Sequence, residues 1–168
     1  MRVFINAQLN SMQSNPKISA ETTMKQLQEL MPGARRALFA KYHIGGCQSC
    51  GFDDSETIGE VCKRNEDLSV DDVLKHLSSS AEHDQKIQIN PSDLKKELDQ
   101  EDTDIKLLDI RSREEFEAVK IPGSEIMTAD LQQEALGKWG KETRTIIIDH
   151  TCDRTLDDAA IFIRHGLK

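Results

Sequence analysis

The residues most able to do chemistry in this chain are its four cysteines and the charged groups near them. Cys47 and Cys50 stand in "GGCQSCGF", a glycine-rich turn. Such a pair can close a small disulfide ring, and one of its thiols often has a lowered pKa, which suits reversible redox or persulfide chemistry. Adding Cys62 and His43 gives three sulfurs and one imidazole, enough for zinc or for part of an iron–sulfur site. Yet Cys62 shares a helical face with Ile58, where a buried cysteine needs no function, and His43 alone also reads as a packed or solvated residue. Redox thiols, a metal site and structural cysteines therefore all stay open. The fourth cysteine, Cys152, lies in "IIIDHTCDRTLDDAA", residues 146–160. There an aliphatic run stops, polar residues follow and a helix starts, which is how many enzymes present a nucleophile. Arg154 and the helix start would lower the Cys152 pKa, whereas Asp149 and Asp153 would raise it. His150 reads either as a base or as a solvated loop histidine.

Bulk properties restrict the choices. The 168 residues suffice for one ordinary domain or two small ones. The net charge is -8 and neither half is basic, which argues against nucleic acid, since phosphate binding needs a basic face. No apolar run approaches the roughly 20 residues of a membrane span. The first residues lack the apolar core of a secretory signal. The expectation is a cytoplasmic protein with neither a nucleic-acid nor a membrane partner. In that compartment cysteines read as redox, metal or catalytic residues rather than as staples.

The elements that must position these residues fall into two textures. Residues 1–16 read as a flexible arm. Residues 17–78 read as a small all-helical domain: "SAETTMKQLQELM", "ARRALFAKYHI", "ETIGEVCKRN" capped by Ser55, and "SVDDVLKHL" opened by Ser69 and Asp72 in capping-box spacing. Gly45-Gly46 would end the second helix. "SSSAEHDQ" and its surroundings, residues 79–86, are polar and without periodicity, and read as a linker. From residue 87 strands alternate with helices. "KIQI", "IKLLDI", "SEIMT" and "RTIIID" read as strands. "PSDLKKELDQ" (with Pro91 in the first turn), a short helix opened by Ser112 and Glu115, "ADLQQEAL" and "TLDDAAIFIRHG" read as helices. This alternation predicts an α/β domain with a parallel sheet covered on both faces.

"LLDIRSREEFEAVKIPGS" resembles the rhodanese signature, with Asp109, Arg111, Glu115, Phe116, Ile121, Pro122 and Gly123 at the family's positions and Val119-Lys120 where a Gly-His pair is usual. These residues also read simply as fold-makers. The resemblance extends to the loop after residue 148. With Arg154 and Thr155 on the family's Arg-Ser, Asp149 falls on the catalytic cysteine and Cys152 on a glycine. The family implies sulfurtransferase chemistry through a persulfide, which a carboxylate cannot carry. Rhodanese domains also continue into a last strand, so residues 87–168 are expected to form a rhodanese-like domain that either lacks that strand or completes its sheet differently. Further upstream, "ALFAKYHIGGCQSCGFDDSETIGEVCKRN" is similar to a small helical domain associated with hybrid-cluster proteins and thought to bear a redox disulfide.

The function expected is therefore sulfur handling or thiol redox. In it the rhodanese-like domain binds or scaffolds, and Cys47, Cys50 and Cys62 carry the chemistry. The partner would be a sulfur- or thiol-carrying protein or small molecule. No cofactor is required, with zinc or an iron–sulfur cluster at the Cys-x-x-Cys as the exception. Two alternatives remain: an active sulfurtransferase using Cys152, with Asp149 and Arg154 at the site, and a non-catalytic regulatory or interaction module.

Overall fold

The computed structural model describes residues 2–4, 17–46, 51–66, 68–100, 105–150 and 152–167, with residues 2–4, 152 and 153 as backbone only. The chain divides into two compact units, Ser11–Gln85 and a second made of Met1–Asn10 together with Lys86–Lys168.

The first unit is helical among its described residues. Helix α1 (Met24–Leu30) starts at Thr23, whose hydroxyl accepts from the Gln26 N–H while the Gln26 side chain returns to the Thr23 N–H. Helix α2 (Ala34–Tyr42) ends at His43, which takes a left-handed conformation with φ 56°. The stop expected at Gly45-Gly46 thus comes earlier, with an imidazole residue in the position glycine favours. Helix α3 (Ile58–Arg64) is capped by Thr57 with Glu60 in a second capping box. Ser55, expected as the cap, bonds Asp53 instead. Met24, Leu27, Leu38, Ile58, Val61 and Cys62 form one core with Val73 and Leu77 of helix α4 (Val70–Ile87).

Residues 79–86, expected as a linker, lie inside α4. The reason is a face the polar sequence concealed: Val73, Leu77, Ala81 and Asp84 follow one another at helical spacing. Val73 and Leu77 are buried, Ala81 packs against the same core, and Asp84 is 6% exposed with its Oδ1 2.6 Å from Arg36 Nη2. A Cβ at Gly33 would stand 2.2 Å from Asp84 Oδ2, so the backbone approaches the carboxylate as only glycine allows.

The second unit is α/β. Its strands are β1 (Arg2–Phe4), β2 (Gln88–Ile89), β3 (Ile105–Asp109), β4 (Ser124–Ile126) and β5 (Arg144–Ile148). They form one five-stranded sheet of order β2-β1-β5-β3-β4, with every pairing parallel. Helices α5 (Pro91–Leu98), α6 (Arg113–Ala118), α7 (Ala129–Lys138) and α8 (Cys152–Arg164) complete it. Alternation along the strands sorts the core into two layers. Leu108 and Ile147 pack with Ala135 of α7 and with Leu156, Ala159 and Phe162 of α8. Leu107, Ile146 and Ile148 pack on the opposite face with Leu94 of α5.

The N-terminal residues depart most from expectation. Residues 1–16 were read as an arm, but Arg2–Phe4 enter the sheet as β1, pairing Val3 with Ile147 and Gln88. Three residues are too few to show a period, and the partners lie more than 80 positions away along the chain. The α/β unit is therefore discontinuous in sequence, and β1 bridges β5 to β2.

Candidate functional site

The candidate site is assembled at the carboxyl ends of β3 and β5, where open α/β sheets carry their ligands. Asp109 ends β3 and is wholly buried. Its carboxylate is gripped by Arg111, with Nε 2.9 Å from Oδ1 and Nη2 2.7 Å from Oδ2. The same Nη2 donates to Val119 O at 2.7 Å, tying the end of α6 back to β3. Hydrogen bonding to Asp109, opposed in part by desolvation and aided by the charges of Asp109, Glu115 and Asp149, pushes the Arg111 pKa up. Arg111 is thus a locked strut.

Ser112 caps α6 in the capping box expected from the sequence, donating its N–H to Glu115 and accepting from the Glu115 N–H. The backbone N–H of Ser112, then its side chain, hold the Glu115 carboxyl below its ordinary range, and His150 contributes less. The remaining Glu115 oxygen stands 2.9 Å from His150 Nε2. This contact fastens the loop after β5 to α6. Arg154, in the first turn of α8, reaches Ile110 O at 3.2 Å. Ile110 N donates in turn to Ile148 O at 3.0 Å.

Asp149 follows β5 directly and is 8% exposed. Its Oδ1 accepts the N–H of His150 at 2.7 Å. Its Oδ2 is buried and has no hydrogen-bond partner among the described residues. A buried unpartnered acceptor costs about 1–3 kcal/mol, and more when charged. Asp158, one turn along α8 from Arg154, is half-buried, and desolvation raises its pKa against the opposing charge of Arg154, with Asp157 and Asp149 adding to the rise.

Of the residues expected at the site, Asp149, His150 and Arg154 come together here. Cys152 is the first residue of α8 rather than a loop residue. Cys62 lies elsewhere, 2% exposed in the helical core, where burial pushes its thiol up. His43 is exposed, with its ring edge-on to Phe39. Cys47 and Cys50 lie outside the described residues. Among those residues no group of three His, Cys, Asp or Glu side chains could hold a metal ion. The reading of single residues missed two features, the Glu115–His150 contact and Asp158. The four-residue spacing of Arg154 and Asp158 was the available signal for the latter.

Comparison with known proteins agrees with this geometry. Residues 90–168 match the family model of the rhodanese-like domain. This part of the α/β unit is thus similar to a rhodanese-like domain, and that match fits sulfur handling as a broad class. No curated protein and no solved structure matches the chain. No helix among the described residues is long and apolar enough to cross a membrane.

Proposed function

We propose that this is a cytoplasmic sulfur-handling or thiol-redox protein whose rhodanese-like domain binds or scaffolds instead of transferring sulfur. The observation that carries the reading is Asp149. It stands at the end of β5, 8% exposed, with its carboxylate drawn onto the first N–H of the following loop. In sulfur transfer a thiolate attacks the outer sulfur of thiosulfate, sulfite leaves with the bonding pair, and a persulfide remains for cyanide to consume. A carboxylate lacks the sulfur to begin this cycle, and its charge repels an anionic donor. The thiols of the helical unit are left to do the chemistry. Cys47 and Cys50 would exchange with a partner disulfide, giving up two electrons and two protons to close their own. The partner is a sulfur- or thiol-carrying protein or small molecule.

A second reading has one observation in its favour. Cys152 opens a 13-residue helix, a place that stabilises a thiolate. Thiosulfate:cyanide assays separate the two. The proposal expects negligible wild-type turnover, gain of turnover in Asp149→Cys, and no change in Cys152→Ser. Strong wild-type turnover abolished by Cys152→Ser would establish the second reading instead.

A further inference from the structure

We draw no further inference here: the strongest candidate, the exposed apolar corner between α6 and β4, where Val119 is 69% exposed and Lys120 Nζ lies 4.7 Å from the centre of the Phe116 ring, carries nothing because nothing in the structure shows what covers it.

Discussion

Arg111→Met should remove a large share of the stability of the α/β unit. The Asp109 and Arg111 side chains are 0% and 9% exposed. The substitution deletes the three side-chain hydrogen bonds to Asp109, at 2.9, 3.1 and 2.7 Å, and a fourth to Val119 O. Methionine fills most of the volume, so the loss is electrostatic rather than a cavity. Breaking a buried pair by removing one partner costs about 3–5 kcal/mol, because the other charge stays buried. Against the roughly 5–15 kcal/mol of a whole domain, that is a large fraction. Among the described residues, only the backbone N–H of position 111, 3.0 Å from Oδ1, would still serve the carboxylate. The chain has one tryptophan, Trp139, packed against the core of Leu108, Ile147 and Phe162. Urea denaturation followed by its fluorescence therefore reports this unit selectively. Adding Asp109→Asn should restore part of the loss, since the stranded charge is gone. A loss below about 1 kcal/mol at unchanged urea dependence would refute the account of Arg111 as a strut.

Removing residues 1–4 should lower the same fluorescence midpoint and speed hydrogen exchange at Ile146–Ile148, because β1 pairs with both β5 and β2; an unaltered midpoint would count against a strand there. Cys62 should resist iodoacetamide in the native protein and react only after unfolding, because burial raises its pKa above 9.0; prompt native labelling would contradict its place in the core. Glu115 should titrate below its ordinary 4.5. Since its folded pKa is depressed, its contribution to stability is complete above the unfolded pKa and is lost as pH falls through the folded one. Ser112→Ala should move the Glu115 titration back toward 4.5 by carbon-13 NMR, and an unmoved curve would show that Ser112 is not the principal cause.

The parts of the fold legible in the sequence were those with local patterns. Aliphatic runs marked β3 and β5, and Ser112 with Glu115 marked the start of α6. The parts that escaped depend on distant partners. Asp84 makes sense inside a helix only once Arg36, 48 positions earlier, stands beside it. The strand at Arg2–Phe4 exists only because Gln88–Ile89 and Ile146–Ile148 flank it. At the site, the end of β5 just before Asp149 could be read from the aliphatic run, but the free oxygen of Asp149 could not. That oxygen depends on where His150 and Arg154 spend their hydrogen bonds, which is a property of the assembled sheet end.

The central claim is that the loop after β5 does not carry sulfur and that the thiols of the helical unit do. Peptide mass spectrometry after treatment with thiosulfate or polysulfide tests it most directly, by locating the added mass of about 32 Da, one sulfur atom, on a thiol. The account predicts the adduct at Cys47 or Cys50, with Cys62 and Cys152 unmodified. An adduct on Cys152, formed from thiosulfate and discharged by cyanide, would contradict it.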